Sequence, residues 1–166
     1  MGLCGMMGVS LLLKAVRITL KRRPEDEVLQ AAESDFARIA GALARDADAD
    51  AASFEAYMAA GRLPKEDPER AAGLEAAALE AIAVAIGALE HAAEGITLAK
   101  SISERITPRM APDIAGGLAL LEAVRANAVD NARDSLDRTE DSPRRKALAE
   151  RLGQRLTSTA EAVERV

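Results

Sequence analysis

Apolar residues recur every three or four positions along almost the whole chain, and this is the period of an amphipathic α-helix. The first stripes of apolar positions are Val9, Leu12, Leu13, Val16 and Leu20, and then Leu29, Ala32, Phe36, Ile39 and Leu43. Later stripes are Leu79, Ile82, Ile86 and Leu89, then Ile114, Leu118, Leu121, Ala128 and Ala132, and last Leu148, Leu152, Leu156 and Val163. No segment shows the strict alternation that marks a half-buried β-strand. The pattern predicts an all-α fold.

Proline, glycine and charged runs divide the first part of this pattern into helices. The basic run at 21–23 and Pro24 end the first helix. A second helix is predicted over about 25–45, and a third over about 48–60.

Capping residues mark the helices that follow. Asp67-Pro68 places an N-capping side chain before a proline at the first helical position, which predicts the start of a long helix to about Ile106. Gly95 is a candidate bend or break in it. After the proline-containing segment 107–112, another helix is predicted to about residue 136, and Ser142-Pro143 opens the last one. We therefore expect about six or seven helices.

Composition limits the architecture and the partners. The 166 residues suffice for one domain over 1–166, with 49% hydrophobic and 30% charged residues. Aromatic residues are only 2%, so the core consists of small side chains, the helices must approach closely, and packing as a homodimer is expected. The net charge of −5 and the absence of a long basic block argue against a nucleic-acid partner.

The chain lacks the usual signals of secretion, membrane insertion and metal binding. Its apolar N-terminus has no leading positive charge and is interrupted by Lys14, Arg17 and Lys21, so it is interpreted as a buried helix and not as a signal or a membrane span. Cys4 is the only cysteine, which excludes an internal disulfide and fits a reducing compartment. One cysteine and one histidine make no usual zinc site. We expect a cytoplasmic protein without a bound metal.

One segment combines rare residue types. Phe54 and Tyr57 are two of only three aromatic residues, and they follow the acidic Asp50 within two helical turns. The sequence continues Met-Ala-Ala-Gly-Arg-Leu-Pro-Lys, ending at Lys65. A carboxylate, two rings, a helix breaker and two cations make this corner the first candidate for a site.

Residues 50–77 resemble the D-x-x-x-F-x-x-x-M, L-P-K and E-x-x-A-A segment of the cyclodeaminase and cyclohydrolase family, with the spacing matched without a gap through Lys65. That family includes the C-terminal domain of formiminotransferase-cyclodeaminase and bacterial methenyltetrahydrofolate cyclohydrolases. The segment 5–19 is similar to its first helix, of pattern G-A-x-G-A-A-L and N-L-T. Asp113-Ile-Ala-Gly and Asn131 are similar to a later S-D-A-G and N-V-x-x-N helix.

The resemblance implies a fold, a substrate and roles for particular residues. Family members are all-α dimers with folate sites in a groove at or near the subunit interface. The catalytic positions implied here are Asp50, Lys65 and Asp113, and the substrate-binding positions are Arg17, Lys21, Phe54, Tyr57 and Asn131. No metal or cofactor is implied, because a tetrahydrofolate derivative is itself the substrate.

The sequence also departs from the family pattern. Members carry a P-G-G-G-[ST]-like loop before the first helix, whereas this sequence begins inside that helix. Arg17 replaces an Asn, Pro112 a Ser and Ser135 a second Asn. Either the start codon is misassigned or the chain is a divergent member. The first functional hypothesis is hydrolysis of methenyltetrahydrofolate or cyclodeamination of formiminotetrahydrofolate, and the alternative is a non-catalytic helical dimer that has lost the ligand loop.

Each candidate residue also has a purely structural interpretation. Asp50 and Asp113 could be first-turn carboxylates that favour a helix dipole, Phe54 a core residue and Lys65 a solvated loop cation. Asp113 and Asn131 lie 18 residues apart, so they share one face of a helix but stand about 27 Å apart along it. The stripe between them is predicted to be either a shallow groove for an extended ligand or a seam against another helix.

Overall fold

The computed structural model describes the backbone of residues 1–164 and the side chains of residues 1–157. Within this part the chain forms five α-helices and two short 3-10 helices, and no β-strand. The α-helices are α1 (Gly2–Leu20), α2 (Glu27–Gly61), α3 (Pro68–Ile102), α4 (Ala111–Asp137) and α5 (Pro143–Glu164). The 3-10 helices span Ser103–Arg105 and Pro108–Met110. The predicted all-α class is confirmed, with fewer α-helices than the six or seven expected.

The helix count differs because two predicted interruptions are absent. The segments 25–45 and 48–60 belong to one continuous helix, α2. The acidic run that separates them alternates aspartate with alanine and contains neither glycine nor proline, so nothing in it ends a helix. Gly95 does not interrupt α3 either, and a Cβ atom there would stand 2.9 Å from Leu121 Cδ1. The absence of a side chain at Gly95 allows α3 and α4 to pack closely at this position.

The predicted helix starts are confirmed by their capping contacts. Asp67 Oδ1 accepts a hydrogen bond from the Glu69 N–H at 2.9 Å, and Pro68 is the first residue of α3. Ser142 Oγ accepts one from the Arg145 N–H at 3.2 Å, just before α5. Both side chains satisfy N–H groups that a helix start leaves without a partner.

The chain forms two compact units, and helices α2, α3 and α4 each contribute residues to both. The first unit consists of residues 1–45 and 88–126, and the second of residues 46–87 and 127–166.

The first unit is built on apolar residues of four helices. Its core contains the predicted stripes of α1 and α2, with Phe36 as the largest side chain that is fully buried. These stripes meet Ile96, Ala99, Ile102, Ile114, Leu121 and Val124 from α3 and α4. Outside the core, Arg38 donates hydrogen bonds to Glu94 and, at 3.3 Å, to Asp35. These hydrogen bonds raise the pKa of the Arg38 guanidinium, and the bond to Glu94 has the largest effect.

Two glycines set the approach of α1 to α4 in this unit. A Cβ atom on Gly117 would stand 2.7 Å from Leu12 Cγ and 2.8 Å from the Gly8 carbonyl oxygen. A Cβ atom on Gly8 would stand 3.0 Å from the Gly117 carbonyl oxygen. The close approach predicted from the small-residue composition is realised here.

The second unit buries mainly alanine and aliphatic side chains. Its buried residues include Leu79, Ile82 and Ile86 of α3, Ala128, Ala132 and Leu136 of α4, and Leu148 and Leu152 of α5. Leu156 is half-buried, and Val163 lies outside the described side chains. Helices α2 and α3 approach closely at Gly73, where a Cβ atom would stand 2.9 Å from Ala60 Cβ.

Two helical segments, Gly2–Leu20 and Pro68–Arg105, are long and apolar enough to cross a membrane if length and composition alone are considered. Core helices of soluble proteins meet the same test, and 39% and 44% of the apolar 18-residue windows in the two segments are buried inside the protein. The segments give only weak evidence for a membrane span.

Candidate functional site

The corner predicted from the rare aromatic residues lies on the C-terminal part of α2, in the second unit. Phe54 is 64% exposed, Tyr57 47% and Met58 42%. The interpretation of Phe54 as a core residue is therefore wrong for this chain. Helix geometry places Asp50, Phe54 and Tyr57 on one side of α2, within about 10 Å along its axis.

A shallow, open pocket is present at this corner. Its lining consists of Phe54, Glu55, Met58 and Arg62. Phe54 and Met58 contribute a ring and a thioether to this lining, and Glu55 and Arg62 contribute one charge of each sign. Such a surface suits a flat aromatic group that carries polar or anionic substituents.

Asp50 lies in the middle of α2 and not at a helix start. Since the helix begins at Glu27, the interpretation of Asp50 as a first-turn carboxylate that favours the dipole is wrong. The residue is half-buried, and its backbone carbonyl accepts a hydrogen bond from Ser53 Oγ at 2.9 Å. Asp50 therefore brings a half-exposed carboxylate to the aromatic side of α2.

Lys65 lies in the short loop between α2 and α3, and it is exposed. Backbone hydrogen bonds from Leu63 to Ala60 and from Asp67 to Pro64 shape this loop. Arg70, from the first turn of α3, reaches back to it. Its Nη1 donates to the carbonyl oxygens of Gly61 at 2.6 Å and Leu63 at 2.5 Å.

Asp113 lies in the first turn of α4, in the first unit. Its side chain is 16% exposed, and Oδ1 accepts a hydrogen bond from Lys14 Nζ at 2.7 Å. This position agrees with the interpretation that the carboxylate interacts favourably with the positive end of the α4 dipole. Lys14 was not predicted as a site residue, because no pattern within α1 reveals which carboxylate of a later helix it will face.

The two other predicted residues of the first unit lie on or next to α1. Arg17 Nε donates to Glu33 Oε1 on α2 at 2.7 Å. Lys21 is exposed at the C-cap of α1, where its backbone N–H donates to Arg17 O. Arg17, like Asp113, is already engaged in an ion pair within the protein.

Asn131 is exposed on α4 in the second unit, and its Nδ2 donates to Asn127 Oδ1 at 3.4 Å. The stripe between Asp113 and Asn131 is partly a helix seam, because Gly117 packs on α1 and Val124 is buried. The predicted groove for an extended ligand is therefore closed at Gly117.

The structure thus divides the predicted residues between the two units. Asp50, Phe54, Tyr57, Lys65 and Asn131 belong to the second unit, and Arg17, Lys21 and Asp113 to the first. Sequence reasoning placed Met58 and Arg62 in the corner without giving either a role. It missed Glu55, which lines the pocket, and Arg70, which contacts the loop. Among the described residues, no group of three or more His, Cys, Asp or Glu side chains could hold a metal ion.

Comparison with known proteins connects this arrangement to a family. Residues 1–154 match the sequence model of a family described as formiminotransferase-cyclodeaminase. The match includes residues of both units. Among solved structures, the chain is similar to the crystal structure of formiminotetrahydrofolate cyclodeaminase from Thermotoga maritima, with a TM-score of 0.81 and 19% sequence identity. The match covers 99% of this chain and 81% of that one. A search of curated protein sequences gave no match. The resemblance inferred from the sequence motifs is confirmed.

Proposed function

We infer the function of this chain from its family, since the chain belongs to the formiminotransferase-cyclodeaminase family. We propose that it is an enzyme of one-carbon folate metabolism that acts on the one-carbon group of a tetrahydrofolate. One candidate reaction is hydrolysis, in which water adds to the amidinium carbon of 5,10-methenyltetrahydrofolate, one carbon–nitrogen bond breaks and a proton is released. The other is cyclodeamination, in which 5-formiminotetrahydrofolate takes up a proton, its N10 bonds to the formimino carbon, the bond from that carbon to the imino nitrogen breaks, and ammonia leaves to give the methenyl cation.

The exposed corner of α2 carries this proposal. Two aromatic rings, Phe54 and Tyr57, stand exposed in a chain that has only three aromatic residues. Exposed apolar side chains that cluster, as these rings do with Met58, often mark a ligand or interaction site. A pterin is a flat ring system that would stack on such side chains, and its glutamate carboxylates would favour the nearby cations Arg62 and Lys65.

The chemistry needs groups that exchange protons and stabilise charge. The Asp50 carboxylate would accept a proton from the attacking water or stabilise the positive amidinium group. Lys65 would donate a proton to the departing nitrogen or hold a carboxylate of the substrate. Asp113, paired with Lys14, is proposed as a second carboxylate that stabilises positive charge.

The activity test follows the absorbance of the methenyl chromophore with purified protein. Loss of the chromophore faster than its spontaneous decay indicates cyclohydrolysis. Its appearance from formiminotetrahydrofolate, together with release of ammonia, indicates cyclodeamination. Absence of both reactions, together with no detectable folate binding, would contradict the proposed function.

Two neighbouring aspartates provide a matched pair of variants. Asp50→Asn is expected to lower kcat by about 100-fold or more, since loss of a positioned acid or base typically costs 10²–10⁴-fold. Asp48 is exposed two residues earlier on the same helix, and Asp48→Asn is expected to leave kcat unchanged. Equal rates for the two variants would remove Asp50 from the mechanism.

Folate binding has an internal reporter. Tyr57 is the single tyrosine and the chain has no tryptophan, so the intrinsic fluorescence of the protein comes from the proposed site. Binding is expected to quench this emission, after correction for absorption by the ligand. The Phe54→Ala variant is expected to weaken binding by roughly 5- to 150-fold, on the scale of about 1–3 kcal/mol for a base stacked on an aromatic side chain.

The ion pairs of the first unit favour a second candidate function. Arg17 is bound to Glu33, and Asp113 to Lys14, so two predicted ligand contacts are satisfied without a ligand. This observation fits a non-catalytic helical dimer that keeps the family's packing and acts as an interaction protein. The assays above separate the two functions, because only the enzyme changes a folate.

We further propose that the protein works in the cytoplasm as a homodimer. The family resemblance supports both statements, and the small side chains of the core support the dimer. No nucleic-acid or membrane partner is proposed. The tetrahydrofolate derivative is proposed as substrate, without a metal or other cofactor.

A further inference from the structure

The end of α2 depends on a side chain from the next helix. The last carbonyl groups of a helix have no N–H partner within it. Here the Arg62 and Leu63 N–H groups bond to Ala59 and Ala60. The carbonyl oxygens of Gly61 and Leu63 accept instead from Arg70 Nη1, at 2.6 and 2.5 Å.

Arg70 is well placed to hold both ends of the loop. It lies in the first turn of α3, where its own N–H bonds to the Asp67 carbonyl, and it is half-buried. Its positive charge also interacts favourably with the negative, C-terminal end of the α2 dipole. One nitrogen atom thus connects the last turn of α2 to the first turn of α3, with residues 62–67 between them.

The loop held in this way carries two cations of the proposed site. Arg62 lines the pocket beside Phe54 and Met58. Lys65 follows Pro64, whose ring fixes its own φ angle, and a second hydrogen bond closes the loop from Asp67 to Pro64. The backbone that carries Lys65 is therefore fixed at three points, one of which is the Arg70 guanidinium.

We propose that Arg70 is a positioning residue, which holds the Leu63-Pro64-Lys65 loop so that Lys65 meets the ligand at the aromatic corner. The role of Lys65 rests on the proposed function, whereas the hold on the loop does not. Arg70 acts through Lys65, so its removal and the removal of Lys65 have overlapping effects. A purely structural arginine would instead add its effect to that of Lys65.

A spin label tests the hold on the loop without any substrate. Cys4 is the single cysteine, so Cys4→Ala with Glu66→Cys gives one labelling position in the loop and keeps Lys65. Adding Arg70→Met is expected to increase the mobile component of the EPR spectrum. Arg70→Lys, which keeps a charged donor, is expected to restore part of the immobile component. Arg144→Met removes an exposed ion pair with Glu80 elsewhere in the second unit and is expected to leave the spectrum unchanged.

A double-mutant cycle tests the connection to Lys65. Arg70→Met is expected to lower kcat/KM by about 10-fold in the parent protein and by less than 2-fold in the Lys65→Ala background. Full additivity of the two effects, with circular dichroism unchanged, would overturn the positioning role. An unchanged EPR spectrum of the label in Arg70→Met would contradict the proposal that Arg70 holds the loop.

The two measurements test the proposed function and the role of Arg70 separately. If the protein converts neither folate, the proposed function fails, and the label spectrum still decides whether Arg70 holds the loop. If Arg70→Met lowers helicity, Arg70→Lys provides the same comparison in a folded protein, with partial recovery of both the immobile component and kcat/KM expected.

Discussion

Gly8 and Gly117 show how single residues decide the packing of this chain. Each glycine lies against the backbone or the side chains of the facing helix, with no room for a Cβ atom at normal contact distance. The chain has only three aromatic residues, so its helices gain contacts by approaching closely and not by filling space with large rings. A methyl group at such a position forces the helices apart.

A pair of glycine-to-alanine substitutions tests this account. Gly117→Ala is expected to lower the free energy of unfolding by about 1–3 kcal/mol, the usual cost of overpacking a core. Gly153 has no atom within 4 Å of its ideal Cβ position. Gly153→Ala is therefore expected to raise the free energy of unfolding by roughly 0.5–1 kcal/mol through helix propensity. Urea denaturation followed by circular dichroism measures both, and equal effects of the same sign would refute the account.

The residue scale also shows which site contacts the sequence could predict. Asp50, Phe54, Tyr57 and Lys65 could be proposed from the sequence because they lie within one continuous segment, and Phe54 and Tyr57 are exposed. The partners of Asp113 and Arg17 could not be found in this way. Lys14 lies 99 residues from Asp113, and such a pairing depends on how helices pack, not on spacing within one helix.

At the scale of elements, the helix starts were predictable and one helix boundary was not. Asp67 and Ser142 act as caps because short acceptor side chains bond to exposed N–H groups at a helix start. These are local interactions, and the local sequence contains all their parts. The acidic run at 46–50 was interpreted as a boundary, yet its charges are half-buried or exposed on a continuous helix. Charge alone does not end a helix that has neither glycine nor proline.

The continuity of α2 leads to a prediction at Asp48. Asp48→Pro is expected to lower the free energy of unfolding by about 3 kcal/mol or more, since proline in a helix interior removes a hydrogen bond and clashes with the preceding turn. In two separate helices, residue 48 would start the second one and would tolerate proline.

Asp48→Asn serves as the control for this substitution, because it removes the charge and keeps the backbone donor. Its effect is expected to stay within about 0.5 kcal/mol, as for other surface substitutions. Thermal unfolding of the two variants gives the comparison. A proline variant as stable as the asparagine variant would indicate that α2 is interrupted at this point.

For the whole molecule, the fold class and the family follow from the sequence, whereas the arrangement of the site does not. Apolar periodicity predicts helices, and the motifs at 50–65 and 113–131 indicate the family that the comparison with residues 1–154 confirms. The predicted site residues, however, belong to two compact units, with Asp113 in one and Asp50 in the other. Sequence motifs give the order of functional residues along the chain, but packing decides which of them meet.

The proposed homodimer leads to the last prediction. Several apolar side chains are exposed on the single chain, among them Leu3, Met7, Phe54 and Met58. Leu3 and Met7 lie one helical turn apart on α1, and Phe54 and Met58 one turn apart on α2, so each pair shares a helix face. Neighbouring exposed apolar side chains of this kind often mark interaction sites. We expect sedimentation equilibrium to give twice the mass of one chain at micromolar concentration.

The family resemblance implies a folate site at or near the subunit interface. If the aromatic corner lies in that interface, Met58→Lys is expected to weaken the association at least 10-fold, because charged residues are depleted from interface cores. Val28→Lys provides the control, since Val28 is similarly exposed, at 45% against 42% for Met58, but lies in the first unit. A monomer at all concentrations would contradict the dimer. Equal dissociation constants for the two variants would place the subunit interface away from the aromatic corner, and the folate site would then have to be complete within one chain.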